Sequence, residues 1–192
     1  MASLVSPRAA SCHRSNSAAA HTQGKPLNLV REGRCVANLL VVAVQASREV
    51  VIDAPPEAIL EALADVGSVP SWSPVHKRAE VIDSYPDGRP HHVKVTVRIV
   101  GIVDTEVLEY HWGPDWLVWD ADKTLQQHAQ HVEYTLQRET EDTTRVRFEI
   151  TLEPSAPLPE FLVNRARKKV LYAATEGLRR QVMAAVGSDR PR

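Results

Sequence analysis

The sequence predicts an α+β domain in which a strand and a short helix lead into a run of antiparallel strands, and one long helix closes the chain. Three observations predict it. Apolar residues recur at helical spacing after Pro55-Pro56 and again from Glu160 to Val186. After Pro74 the period changes to two. The period-two runs are separated by short segments carrying Gly, Pro and Asp, which suit hairpins rather than long crossovers.

Each element follows from its residues. Val50-Val51-Ile52 is a β-branched run that Asp53 ends as a candidate cap. Pro55-Pro56 pre-set φ for a first helical turn whose N–H groups would be unpaired anyway. Ala58, Ile59, Ala62, Leu63 and Val66 then predict one amphipathic helix of about three turns, stopped by Gly67 and the Ser68–Pro74 segment. Lys77 to Asp83 reads as a strand, Tyr85-Pro86-Asp87-Gly88 as a turn, and His92 to Ile99 as a strand with Val93, Val95, Val97 and Ile99 on one face. Gly101 takes positive φ and reverses the chain into a strand ending at Trp112. Gly113-Pro114-Asp115 breaks before Trp116-Leu117-Val118-Trp119. Two further alternating runs follow, with Val132, Tyr134 and Leu136 in one, Val146, Phe148, Ile150 and Leu152 in the other, and Glu141–Thr144 turning between them. The total is about seven antiparallel strands. Pro154, Pro157 and Pro159 keep the next segment extended. Phe161, Ala166, Val170, Ala174, Leu178 and Val182 then recur largely at four-residue steps in a helix roughly 40 Å long, enough to cross the sheet.

At 192 residues, 24% charged and with a net charge of −1, the chain fits one domain with a flexible extension and lacks the basic excess of a nucleic-acid-binding domain. Cys12 and Cys35 make no disulfide framework, so a reducing, cytoplasmic setting is expected. Up to Arg31 there is no acidic residue and no helical periodicity, which predicts a disordered extension over residues 1–43, an ordered domain over 44–187 and a tail over 188–192. Three origins stay open for the extension: a targeting peptide, a signal peptide with Val36–Val44 as its apolar core, or a mis-called start upstream of Val41 or Val42. The last is favoured, because valine codons can initiate in bacteria. The Val36–Val44 run is too short to span a bilayer.

Asp53-Ala54-Pro55-Pro56, the Trp72-Ser73-Pro74 turn ahead of Val81, the Tyr85–Pro90 hairpin loop and the element order together resemble the START-like helix-grip superfamily in its polyketide cyclase/dehydrase (SRPBCC) branch. The resemblance spans about Val44 to Gly187. It implies a helix-grip (START/allergen-like) fold, a seven-stranded curved antiparallel sheet around a long C-terminal helix. Such a sheet cannot fill the space under its helix with side chains, so the family's cup for an apolar ligand is expected between them. Its lining candidates are Val95, Val97, Tyr134 and Phe148 on strands, Trp72 at the mouth, and Phe161 and Val170 on the helix. Trp116 and Trp119 lie three apart in a strand and point to opposite faces; Trp119 is chosen for the cup.

Catalytic motifs are sparse. There is no Gly-x-Ser-x-Gly elbow, no phosphate-cradling Gly-rich loop and no cysteine within the patterned domain. Asp120 is the one weak catalytic candidate, paired with Asp122 for acid/base work if the cup buries them. His128 and His131 fall on opposite faces of a strand, and the adjacent His91-His92 pair is expected to diverge likewise, so neither is read as a metal site and no cofactor is expected. Arg165, Lys168 and Lys169, with Arg167, form the one basic cluster of the closing helix. It reads as a solvated face or as a transient membrane contact. The expected function is binding of a lipid, polyketide or isoprenoid-like molecule as carrier or sensor. The alternatives are a polyketide cyclase/aromatase-type enzyme, in which a folded poly-β-ketone closes with little acid/base help, and a quinone-chaperone or toxin-like interaction module.

Overall fold

The computed structural model describes residues 43–188; of the expected extension and tail, residues 1–42 and 189–192 lie outside the described residues. The described elements are β1 (Val44–Ile52), α1 (Pro56–Ala64), α2 (Val69–Trp72), β2 (His76–Val81), β3 (His92–Ile99), β4 (Ile102–Trp112), β5 (Trp116–Ala121), β6 (Gln127–Thr140), β7 (Thr143–Pro154), α3 (Glu160–Tyr172) and α4 (Leu178–Ser188). The strands form one antiparallel sheet in the order β1-β7-β6-β5-β4-β3-β2. Neighbours in sequence are neighbours in space from β2 to β7, as short turns require. β1 joins the sheet through β7, pairing Val44 with Leu152 and Ile52 with Thr144.

The register places one set of side chains on the face that receives the helix. Val95 pairs with Glu106, Tyr110 with Trp119, Leu117 with Tyr134, Tyr134 with Phe148, and Val50 with Val146. Alternation carries all of these to the same side. Ile52, Leu60, Val93, Leu108, Leu117, Val132, Val146, Leu178 and Val182 are almost wholly removed from water and form the core there.

Three local features differ from the sequence expectations. The helix after Pro55 ends at Ala64, and the chain continues through a 3-10 turn (Val66–Ser68) into the single turn of α2. Pro70 falls in the first turn of α2, where a missing N–H costs nothing, so the proline read as a stop starts a helix instead. Asp53 does not cap α1: Pro55 holds that position, with no side-chain hydrogen bond to the helix. Third, the closing helix contains a π-helical turn (Ala173–Gly177) between α3 and α4.

The π turn explains the four-residue spacing. Side chains four apart drift by about 40° around a regular helix, so from Val170 to Leu178 the apolar stripe would leave the sheet. A π turn absorbs about one extra residue and rotates the stripe back. Its backbone is satisfied locally: the Leu178 N–H bonds to the Ala173 carbonyl, and the Tyr134 hydroxyl donates to the Ala174 carbonyl at 3.0 Å. Gly177 is required there, since a Cβ would stand 2.8 Å from the carbonyl oxygen of Trp72.

The β3–β4 reversal is made by Val100 (φ 45°) and Gly101 (φ 93°). Two central residues with positive φ match the twist of a two-residue hairpin, but a β-branched residue is strained in that region. Val100→Asn is therefore expected to raise stability by about 1 kcal/mol, read as a higher thermal midpoint. An unchanged or lower midpoint would show that Val100 contributes more by packing than it loses by strain.

Candidate functional site

Between the concave face of the sheet and the closing helix lies a cavity with two lobes. The inner lobe, about 100 Å³, is floored by an aromatic row running across four strands. Tyr110 stacks on Trp119 (ring centroids 5.2 Å), Trp119 lies 5.8 Å from Tyr134, and Tyr134 lies 4.9 Å from Phe148. Trp72, Val75 and His76 close one side, and Val170, Ala173 and Ala174 of the helix form the roof. The outer lobe, about 190 Å³, lies under the start of α3 and reaches solvent at Leu125, which is 92% exposed. The lobes share Val97, Ile99, Glu106, Gln130, Ile150 and Val170.

Of the residues expected to line a cup, Trp72, Val95, Val97, Trp119, Tyr134, Phe148 and Val170 all border the inner lobe. Phe161 does not border either lobe and is 70% exposed. Nine residues separate it from Val170, two and a half turns of α-helix, so the two side chains leave opposite sides of α3. Leu162, Val163 and Ala166 take the inward positions instead. Trp116 lies outside both lobes, its indole against Gly113.

Asp120 faces away from the cavity. It neighbours the inward Trp119 in β5, is exposed, and accepts or shares a proton with His131 Nδ1 at 2.7 Å on the outer face. Asp122, also exposed, lies beyond the strand. The carboxyls that do reach the cavity are Glu106 and Asp104, two residues apart on the concave side of β4. Glu106 is 5% exposed and borders both lobes. Burial, helped by the neighbouring Asp104 carboxylate, pushes its pKa up to about 7. Asp104 is held in place by the Thr124 hydroxyl (2.5 Å) and the Thr105 N–H (2.9 Å). The sequence hides Glu106 because β4 mixes apolar and polar residues on both faces: Val103 and Val107 are exposed whereas Leu108 and Tyr110 are buried, and Asp104 and Glu106 share the buried phase. The usable signal is the phase shared by Leu108, Tyr110 and Trp112, which carries Glu106 inward.

Two buried N–H donors in the walls have no hydrogen-bond partner among the described residues: Trp119 Nε1 beside the inner lobe and Gln127 Nε2 beside the outer one. His76 lines the inner lobe, shares a 2.7 Å hydrogen bond with Ser73 Oγ, and is lowered by burial to a pKa of about 4. Burial also raises the Tyr110 and Tyr134 hydroxyls well above the ordinary phenol range, so both stay protonated. The cavity is thus an apolar chamber with a few polar atoms, one of them a carboxyl that changes charge near neutrality.

The basic cluster lies on the closing helix. Arg165, Lys168 and Lys169 are exposed, and Arg167 borders the outer lobe. Glu176 turns inward to pair with Arg48 of β1 at 3.0 Å. No helix among the described residues is long and apolar enough to cross a membrane.

The family model for polyketide cyclase/dehydrase and lipid transport proteins matches residues 43–185. Among solved structures, a START superfamily protein from Mycobacterium smegmatis superposes with a TM-score of 0.66 at 20% identity, over 73% of this chain and 98% of its own. The Zhui aromatase/cyclase from Streptomyces sp. R1128 gives 0.66 at 13% identity, over 76% and 96%. TTHA0849 from Thermus thermophilus gives 0.65 at 18%, over 74% and 99%. No curated protein sequence matches the chain. At these identities the structural likeness speaks for the fold: a seven-stranded antiparallel sheet gripping a long C-terminal helix.

Proposed function

The chain belongs to the START-like polyketide cyclase/dehydrase and lipid transport family, and from that premise we propose that it binds a hydrophobic small molecule bearing hydrogen-bonding oxygens in the two-lobed cavity, as a carrier or sensor. The observation that carries this reading is the wall itself. It is apolar over most of its area, opens at Leu125, and holds two unpaired N–H donors in a setting where buried donors are normally satisfied. A ligand with a carbonyl or hydroxyl oxygen would pair them; a plain hydrocarbon would not.

An environment-sensitive apolar probe should quench the emission of Trp72 and Trp119, and the quenching should saturate. Val97 borders both lobes. Val97→Trp should abolish saturable quenching while leaving a folded spectrum, with overpacking costing about 1–3 kcal/mol of stability. Probe affinity unchanged in that variant would place binding elsewhere and overturn the reading.

A second reading, an aromatase/cyclase-type enzyme, is favoured by Glu106. A carboxyl with a pKa near 7 beside a chamber able to fold a poly-β-ketone is suited to proton transfer at neutral pH. In this reading Glu106, rather than Asp120, is the acid/base. Glu106→Gln should then retain probe binding but lose about 10²-fold in turnover of a poly-β-ketone mimic. Wild-type protein that binds the mimic without converting it leaves the carrier reading alone.

A further inference from the structure

Outside the cavity, the β2–β3 loop and the first residue of β3 bring together three side chains of types that ligate metals. Ligand atoms of Asp83, His91 and His92 all lie within 4.8 Å of one another. His92 Nδ1 is 3.0 Å from both Asp83 oxygens, and His91 Nδ1 is 3.3 Å from Asp83 Oδ1. The two imidazoles, expected from strand alternation to diverge, lie 3.9 Å apart between ring centroids. Alternation fails because His91 precedes the first residue of β3 and is not bound by the pleat.

Donor atoms bound to one tetrahedral zinc ion at about 2.1 Å stand about 3.4 Å from each other. The spacing found here is close to that. The charges around the ring nitrogens add a second argument. His91 Nε2 is 3.5 Å from Glu109 Oε1, and the same carboxylate lies 3.8 Å from His111 Nε2. A carboxylate at Nε2 holds the imidazole proton there and turns the Nδ1 lone pair toward the binding position, the arrangement that commonly orients histidine ligands. In His91 the Nδ1 atom stands 3.3 Å from the Asp83 carboxylate, so an imidazole whose proton sits on Nε2 would offer that nitrogen and the carboxylate together to one cation.

The scaffold is already built. The His92 N–H donates to Asp83 Oδ1 at 3.0 Å, the His91 N–H donates to the Asp83 carbonyl at 3.0 Å, and the Tyr85 ring packs on His91 with its hydroxyl donating to the Tyr110 carbonyl at 2.9 Å. Asp83 is exposed and both histidines are partly so, which leaves an entry path.

We propose that Asp83, His91 and His92 form a site for one divalent transition-metal ion of the zinc type, with Glu109 as the carboxylate that orients His91 and solvent completing the coordination. Two imidazoles and one carboxylate suit zinc, cobalt, nickel or copper rather than calcium or magnesium. Bound there, the ion would tie both ends of the β2–β3 loop together and add a constraint that does not depend on the cavity being filled.

Titration calorimetry of the untagged full chain with zinc chloride should show saturable binding of one ion per chain. His91→Ala, His92→Ala and Asp83→Asn should each weaken it by about tenfold or more, whereas His128→Ala should leave it unchanged. Nitrogen-15 spectra of the histidine rings should show zinc moving the Nδ1 resonances of His91 and His92, a signature that loss of loop structure in a variant would not mimic. No saturable heat up to millimolar zinc, or zinc affinity unaffected by His91→Ala and His92→Ala, would overturn the site and leave the three side chains as a hydrogen-bonded loop cluster only.

Discussion

Leu178→Asp is expected to unfold most of the protein. Leu178 is 0% exposed, sits at the exit of the π turn and belongs to the core beneath the helix. Removing a buried leucine side chain alone typically costs about 2–5 kcal/mol, and the aspartate adds an unpaired carboxylate with nothing to receive it. The total approaches the whole stability of a domain this size, about 5–15 kcal/mol. Lys169→Asp, on the exposed side of α3, should stay within about 0.5 kcal/mol of wild type. Val170→Asp should fall between them, because Val170 is only half-buried and borders the cavity, where water can solvate the charge. Chemical denaturation of the three variants gives the ranking. A Leu178→Asp protein as stable as the Lys169→Asp protein would mean that the helix is rotated from the orientation described.

The second large effect is a pH dependence that Glu106→Gln removes. Glu106 has a pKa of about 7 when folded against an ordinary 4.5, so between these values the folded state holds a proton that the unfolded state has released. Stability contributed by the protonated carboxyl is therefore full below about pH 4.5 and declines as pH rises to about 7 and beyond. At 1.36 kcal/mol per pKa unit the loss reaches about 3 kcal/mol. His76 acts in the opposite sense. Its pKa falls from 6.5 to about 4 on folding, so it weakens the fold as pH drops through that window. The contribution of His76 is common to both proteins and cancels in their difference. Wild type minus Glu106→Gln should thus be nearly flat below about pH 4.5 and should shift against wild type by up to about 3 kcal/mol by about pH 8. Parallel stability curves across that range would show that Glu106 ionises freely and is not enclosed as described.

How much of this was legible depended on whether one periodicity decided the matter. β3 was legible in full, because Val93, Val95, Val97 and Ile99 are apolar and their alternates are not; the observed strand has the bounds the pattern predicts. The cavity residues on β3, β6 and β7 follow from the same alternation. Glu106 was lost because β4 mixes apolar and polar residues on both faces and its phase is set only by pairing with β3 and β5. Phe161 was misplaced because it stands five residues before Ala166, about 140° around the helix; the four-residue step leads back instead to Leu162, which borders the outer lobe. Its success further along, at Ala174, Leu178 and Val182, depends on the π turn, which the sequence marks only by Gly177. His91 and His92 were read with strand geometry one residue too early. In each case the missing information was tertiary: which neighbour a strand pairs with, or where a regular element begins.

The position of β1 has a consequence for how the protein is made. All other strand pairs join neighbours along the chain and can form as soon as the second member leaves the ribosome. β1, the earliest of the described strands to be synthesised, has its only partner in β7, which emerges after every other strand. Until then the backbone of β1 lacks its ladder, and the inward side chains Val50 and Ile52 lack the Val146 side of the core. Closing so long a loop carries an entropic cost before any contact repays it, and folds dominated by such distant pairings are slow to form. The core and the cavity should therefore be completed only after translation of β7, so that a nascent chain stalled within β6 exposes the Val50–Ile52 end of β1 to chaperones rather than to a ligand.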